Sequence, residues 1–219
     1  MLKLLKTISY PFLMLFLAFN AYCVYKSGNW AVMHHKVYMW FAIGFVAYLI
    51  LKGLLRKNLD FLETFTHELT HTIVGLSFFQ KIHSFQATNG EGGVIYHSGK
   101  MQNNVFIALA PYCLPIYTFA LLIIRLWVES KSLWIIDILI GLTVGFHFCT
   151  IKKDLSQSQP DIHGCGEIFS YLFIWAFILF HLTLIIWSLR NGIDGAFVHW
   201  WNNLIYVYEN INSLNINLL

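Results

Sequence analysis

Residues 67–71 read His-Glu-Leu-Thr-His, so two imidazoles stand four positions apart with a carboxylate beside the first. Positions i and i+4 share one face of an α-helix, and His67 and His71 can therefore bind one metal ion together. Glu68 can then act on a water molecule at that metal. A chain of this composition contains the pattern by chance in about one case in a hundred. The alternative is a pair of histidines on a polar helix face whose hydrogen bonds are satisfied.

The residues around the motif allow the helix that shared metal binding requires. No Pro or Gly interrupts Phe61 to Val74, and those two residues are the ones that most often break helices. An ionisable Glu between two histidines is costly to bury in an apolar segment. A functional site is therefore the first hypothesis for this motif.

Two histidines leave a third ligand to be found, because catalytic zinc usually takes three from the protein. Asp161 stands out, since it follows Pro160 at the mouth of an apolar helix and its carboxylate can face inward to a metal. A carboxylate at that position can also act only as a helix cap. The other candidates are His83, Glu91, His97, His147, His163 and Glu167. A lone histidine in an apolar span, such as His147, is more often a hydrogen-bonded core residue than a ligand.

The composition predicts an all-α integral membrane protein. Hydrophobic residues make up 58% of the chain and charged residues 11%, whereas a soluble domain has about 25% charged residues. A helix needs about 20 apolar residues to cross a bilayer. About six transmembrane helices are predicted, at Ile8–Tyr25, Val37–Leu55, Leu59–Phe79, Val105–Trp127, Leu133–Ile151 and Ile162–Leu189.

The chain divides into one membrane domain and a tail of different character. Residues 1–191 are predicted to be a polytopic membrane domain whose first helix is an uncleaved anchor. Residues 192–219 are predicted to form an amphipathic helix in the membrane interface, with Trp200 and Trp201 at the headgroup level. The polar third span must be wrapped by other helices or line a wet cavity.

Several functional classes are disfavoured. The net charge is +3, and no Lys/Arg cluster with interleaved aromatic residues indicates nucleic-acid binding. The four cysteines form no CxxC pair, so neither a disulfide framework nor a thiolate zinc site is expected. The oligomeric state is left open. The low charge content and the many Ile, Asn and Lys residues hint at a bacterial inner (cell) membrane.

Residues 80–102 are predicted to form a short β-hairpin after the motif helix, because two alternating runs flank a glycine-rich turn. Its strand can offer Val94, Ile95 and Tyr96 to an extended peptide substrate. An ordinary surface loop is the alternative. Pro111 and Pro115 should kink the next helix and free backbone carbonyls. Pro111 is therefore a candidate substrate contact, with a plain packing kink as the alternative.

These features together resemble the site-2 protease family of intramembrane zinc metalloproteases. The resemblance covers residues 60–190 and suggests a divergent, small member without a PDZ domain. It implies one zinc ion held by His67, His71 and Asp161, with Glu68 as the catalytic base. Two positions depart from the family pattern: Ile162 follows the aspartate and Ala110 precedes the middle-helix proline, where the family usually has Gly.

Three functions follow as hypotheses. The first is an intramembrane zinc metalloendopeptidase that cuts transmembrane segments of membrane proteins in or near the bilayer, by water activated at zinc with Glu68 as general base. The second is a non-catalytic membrane scaffold or partner-binding subunit that retains a protease-like fold. The third is a metal or proton transporter, which is ranked last because the chain shows no paired repeats.

If all six segments cross the membrane fully, successive spans alternate in direction, and this conflicts with a shared metal site. His67 and Asp161 both lie near the starts of their spans, and the third and sixth spans would run in opposite directions. The two residues would then lie on opposite sides of the membrane. Either one candidate span does not cross fully, or a connecting segment dips into the membrane.

Overall fold

The computed structural model describes residues 2–55, 59–88, 92–96, 104–155 and 159–216. In this part of the chain a two-stranded hairpin is inserted among long helices. The elements in chain order are α1 (Leu2–Met33), α2 (His35–Leu54), α3 (Asp60–Ser77), β1 (Ile82–Ala87), β2 (Gly92–Tyr96), α4 (Val105–Cys113), α5 (Ile116–Ile124), α6 (Leu133–Leu155), α7 (Pro160–Cys165) and α8 (Glu167–Ile216).

Fewer helices than expected are both long and apolar enough to cross a bilayer. Among the described residues they are His35–Leu54, Ser130–Leu155 and Glu167–Ile211. The α4–α5 pair bends through 74° and counts as a fourth crossing if both halves form one span. The six predicted crossings are therefore not confirmed, and the polar helix α3 is not among these segments.

Helices α2 and α6 pack with their backbones almost in contact. A Cβ atom added to Gly44 would lie 1.9 Å from the Ile138 carbonyl oxygen, and one added to Gly141 would lie 2.0 Å from that of Phe41. Small residues permit this close approach and commonly mark helix interfaces in membranes. The two glycines therefore allow the backbones of α2 and α6 to pack directly against each other.

The two helices run in the same direction. The rings of Trp40 and Trp134 meet near the starts of α2 and α6, and Tyr48 meets Phe146 further along both. Helix α5 runs the opposite way, because Thr118 contacts Thr143 while Arg125 contacts Asp137. The chain thus leaves α2 and α6 at the same end of the bundle, with α4–α5 as the return.

This arrangement resolves the conflict over the positions of His67 and Asp161. Helix α3 follows α2 and helix α7 follows α6, so both start from one end of the bundle. The expectation that one of the six segments does not cross fully is consistent with this arrangement, and α3 is one of the segments that do not meet the length and hydropathy criteria for a crossing.

Helix α8 packs along α1 and then breaks at Gly192, whose φ of 78° lies in the region that favours glycine. Beyond the break the helix turns back, and the Trp200 indole donates a hydrogen bond to the Asn20 side chain at 3.0 Å. Trp201 is exposed. Trp200 is therefore an internal contact of the protein, whereas the interfacial position of the whole tail stays a prediction.

The predicted hairpin is present. Strands β1 and β2 pair antiparallel with Phe85 opposite Val94 and Ser84 opposite Ile95, and the register shifts between Ile82 and Ser84. The Phe85 ring packs on Phe65 of α3. The hairpin therefore lies on the motif helix instead of standing free as a surface loop.

We expect Gly44→Ala to destabilise the protein by about 1–3 kcal/mol, because the added methyl group must push α2 and α6 apart. Gly53→Ala is the matched control in the same helix, since a Cβ at Gly53 meets nothing within 4 Å. Thermal unfolding in detergent micelles measures both variants. Equal midpoints for the two would show that the α2–α6 contact is not as tight as described.

Candidate metal centre

Helix α3 places both motif histidines on one face, as their spacing predicts. The ring centroids of His67 and His71 are 4.9 Å apart. His71 is buried and His67 is partly buried. The two imidazoles therefore border one small space.

Asp161 reaches the same space from the other end of the chain. It lies in the first turn of α7, which starts at Pro160, a residue well suited to the first helical position. Its Oδ2 atom is 3.3 Å from Nε2 of His71 and 3.9 Å from Nε2 of His67. One ligand atom from each of the three residues lies within 4.8 Å of the others.

This donor set fits a zinc ion. Ligand atoms at 2.0–2.1 Å from a tetrahedral ion are about 3.3 Å apart, close to the separations between Oδ2 of Asp161 and the two Nε2 atoms. Two imidazoles and one carboxylate are also a common set at catalytic zinc, where a fourth position stays open.

The remaining ring nitrogens of both histidines are held by other residues. Nδ1 of His67 is 3.0 Å from Oδ2 of Asp154, and Nδ1 of His71 is 2.8 Å from the Ile107 carbonyl oxygen. A carboxylate and a carbonyl only accept hydrogen bonds, so both Nδ1 atoms carry the proton. Nε2 is then the nitrogen through which each ring can bind a metal.

Pro111 explains why the Ile107 carbonyl is available. A proline in a helix has no N–H for the carbonyl four positions earlier, which here is Ile107. The sequence predicted that this proline would free a carbonyl. In the structure that carbonyl binds His71, while the predicted contact of Pro111 with a substrate stays a prediction.

An ion-pair cluster supports the first turn of α3. Glu63 is only 2% exposed and pairs with Lys52 of α2 and with Lys153 of α6. Lys153 also contacts Asp60 at 2.8 Å. Loss of these partners would leave a buried, unpaired carboxylate and strongly destabilise the fold. The cluster therefore holds α3 against α2 and α6 close to Asp154.

The local charges keep two carboxyl groups ionised. The hydrogen bond from Lys153 lowers the pKa of Asp60. Burial on its own would raise the pKa of Asp161, but hydrogen bonds donated by the His67 and His71 rings in the metal-free site outweigh it and hold that pKa below its usual range. Asp161 is therefore a carboxylate at neutral pH.

Glu68 is buried beneath the hairpin. A Cβ atom added to Gly92 of β2 would lie 2.7 Å from Cγ and 2.8 Å from Oε1 of Glu68. Only a glycine allows the strand to come this close to the carboxylate. The hairpin therefore forms one wall of the candidate site.

The other proposed ligands do not join His67 and His71 where the structure describes them. His163 is exposed and pairs with Glu167 at 2.8 Å. His83 and His147 are not part of the group whose ligand atoms could hold a metal ion. Glu91 and His97 lie outside the described residues.

The proposed substrate-binding residues differ in their surroundings. The Val94 side chain packs against Ile107, and Ile95 is exposed. Pro111 is buried, and the Tyr96 side chain lies outside the described residues. Their contact with a substrate stays a prediction.

Sequence reasoning missed two residues that touch the site. Asp154 at the end of α6 and Tyr112 of α4 contact His67 and Asp161, respectively. An acidic residue near the end of an apolar helix was a weak signal for Asp154. The position of Tyr112 directly after Pro111 carried no signal for chemistry.

Comparison with known proteins gives one match. A family model described as Peptidase M50B-like matches residues 37–156, which is more than half of the 219-residue chain. The matched segment runs from α2 to the end of α6 and includes His67, Glu68, His71 and Asp154, whereas Asp161 lies beyond it. Searches of curated proteins and of solved structures found no match.

We expect His67→Ala, His71→Ala and Asp161→Ala each to abolish stoichiometric zinc binding. Asp154→Asn should weaken zinc affinity about 10- to 100-fold, because residues that orient a metal-binding imidazole have effects of this size. Metal content of the purified protein and competition with a chelator measure both effects.

His163→Ala is the control, since it removes an imidazole from α7 without touching the metal-binding group. It should retain full zinc. Full zinc in Asp161→Ala would exclude Asp161 as the third ligand, and an unchanged affinity in Asp154→Asn would exclude an orienting role for Asp154.

Proposed function

The chain belongs to the Peptidase M50B-like family, and we propose that it is an intramembrane zinc metalloendopeptidase. The family match confirms the resemblance to site-2 proteases that the motif indicated. Membership supports a membrane metallopeptidase, and the reaction proposed here adds named roles for residues of this chain.

One observation carries the proposal: His67, His71 and Asp161 converge with their metal-binding atoms within 4.8 Å, and the neighbouring residue of the motif is the buried Glu68. A structural role does not require two oriented imidazoles, a carboxylate and a second carboxylate at one place. Peptide hydrolysis by zinc-activated water uses all four.

The residues divide the reaction among themselves. Zinc held by His67, His71 and Asp161 would polarise the peptide carbonyl and make water acidic enough to react at neutral pH. Glu68 takes the proton from the attacking water and later gives it to the leaving amine. Asp154 and the Ile107 carbonyl keep the two imidazoles in the tautomer that binds metal.

We propose that the substrate is a transmembrane segment of another membrane protein, which unwinds and pairs with the hairpin. Strand addition gives main-chain hydrogen bonds without a fixed sequence. The backbone of β2 around Ile95 is the edge proposed for this contact. The same hypothesis places the protein in a lipid bilayer, for which a bacterial inner membrane fits the low charge and the many Ile, Asn and Lys residues.

We expect Glu68→Gln to abolish cleavage of a membrane-protein substrate in proteoliposomes, because the amide cannot accept the proton. Zinc content and thermal midpoint should be unchanged. Glu167→Gln is the control, since it makes the same change at an exposed position of α8, and it should cleave at the normal rate.

A Glu68→Gln protein that still cleaves at that rate would show that Glu68 is not the base. A wild-type protein that binds a membrane partner stoichiometrically, cleaves none of the substrates offered and binds equally well as Glu68→Gln would support the scaffold alternative.

We expect Gly92→Ala to reduce kcat about 10²-fold, because the new methyl group displaces Glu68 and small misplacements of catalytic groups have effects of this size. Gly93→Ala is the matched control, since a Cβ at Gly93 meets nothing within 4 Å. Equal kcat values for the two variants would show that the hairpin does not confine Glu68.

A further inference from the structure

We propose that the Tyr112 hydroxyl donates a hydrogen bond to the oxygen of the scissile peptide carbonyl as that oxygen becomes negatively charged. This inference rests on the proposed function and adds a catalytic residue that the motif does not contain.

Tyr112 lies at the edge of the metal-binding space. Its hydroxyl is 3.4 Å from Oδ2 of Asp161, which is the atom that faces both imidazoles. Its ring packs edge-on against the His67 ring at 5.2 Å. The residue is 0% exposed, so the hydroxyl is held in place and shielded from bulk water.

The distance to Asp161 favours a donor that can change partners. A hydroxyl usually approaches a carboxylate oxygen to about 2.5–2.7 Å, and the observed 3.4 Å is much longer. The bond to Asp161 is therefore weak, and giving it up costs little. A residue whose task was to fix Asp161 would be expected to bind it more closely.

Several other donors close to the ligand set are already engaged. The hydroxyls of Thr66 and Thr70 donate to carbonyls within α3. The Nδ1 protons of His67 and His71 are held by Asp154 and by the Ile107 carbonyl. Among the described residues, Tyr112 thus offers a weakly held proton in direct contact with the proposed ligand set.

The hydroxyl would act without losing its proton. As water forms a C–O bond to the carbonyl carbon, its proton passes to Glu68 and the π electrons of the carbonyl move onto the oxygen. Tyr112 stabilises that oxygen by hydrogen bonding. When the C–N bond breaks, the electrons return to the carbonyl and the leaving nitrogen takes the proton from Glu68. A fixed donor at such an oxygen commonly contributes about 10²- to 10³-fold in kcat.

Tyr112→Phe tests this role, because it removes one oxygen and keeps the ring against His67. We expect kcat to fall about 10²- to 10³-fold, with KM and zinc affinity unchanged. Tyr117→Phe is the matched control. It removes a hydroxyl of α5 that lies 3.2 Å from the Thr66 hydroxyl of α3. This variant should leave kcat unchanged.

A second measurement does not depend on turnover. A phosphinic peptide carries a tetrahedral, anionic oxygen in place of the reacting carbonyl, and its affinity can be measured in zinc-loaded Glu68→Gln protein. Adding Tyr112→Phe to that protein should raise the Kd about 10- to 100-fold, the range for a hydrogen bond to a charged group.

The results of these measurements distinguish the role of Tyr112 from the proposed peptidase function. An unchanged kcat and Kd in Tyr112→Phe would overturn the role of Tyr112. A parallel loss of zinc affinity would also overturn it, because Tyr112 would then act by positioning Asp161. If zinc and the phosphinic peptide bind, and the peptide binds more weakly without the hydroxyl, the hydrogen bond from Tyr112 to the anionic oxygen stands even if the wild-type protein cleaves nothing. That last result would contradict only the proposed function.

Discussion

The Nδ1 atoms of His67 and His71 are held by Asp154 and by the Ile107 carbonyl, and these two hydrogen bonds leave both Nε2 atoms facing Asp161. Without them each imidazole could turn or carry its proton on the other nitrogen, and the motif would lose its metal-binding geometry. The two acceptors come from α6 and α4, so the chemistry of two adjacent turns of α3 depends on helices that are distant in sequence.

The position of those acceptors depends in turn on how α2 and α6 pack. The glycines at the α2–α6 contact allow the helices to run parallel and very close. Both helices then end on the same side of the bundle, where α3 begins, where Asp154 lies and where α7 brings Asp161. The buried Glu63 pairs with a lysine from each of these helices. The paired charges offset the cost of burying a carboxylate, and they fix the helix ends at the candidate metal centre.

The prolines and the hairpin shape the space around the centre. Pro111 removes one helical hydrogen bond and thereby provides the carbonyl that orients His71. The turn between α4 and α5 lets Tyr112 contact Asp161 while Tyr117 contacts Thr66 of α3. Gly92 brings β2 against Glu68. A backbone irregularity thus contributes to the site on more than one side.

The sequence alone determined that the protein is helical and membrane-bound, that a hairpin follows the motif helix, and that His67 and His71 share one helix face. These features follow from local rules: composition, glycine-rich turn signals and the 3.6-residue period of a helix. It also named Asp161, but only as one of several candidate ligands. Only the tertiary structure decided that Asp161 and not His163 meets the histidines, that α3 and α7 start from the same end of the bundle, and that Asp154 and Tyr112 belong to the site. Those facts depend on which helices run parallel and on contacts between residues far apart in the chain, and no local pattern of side chains encodes them.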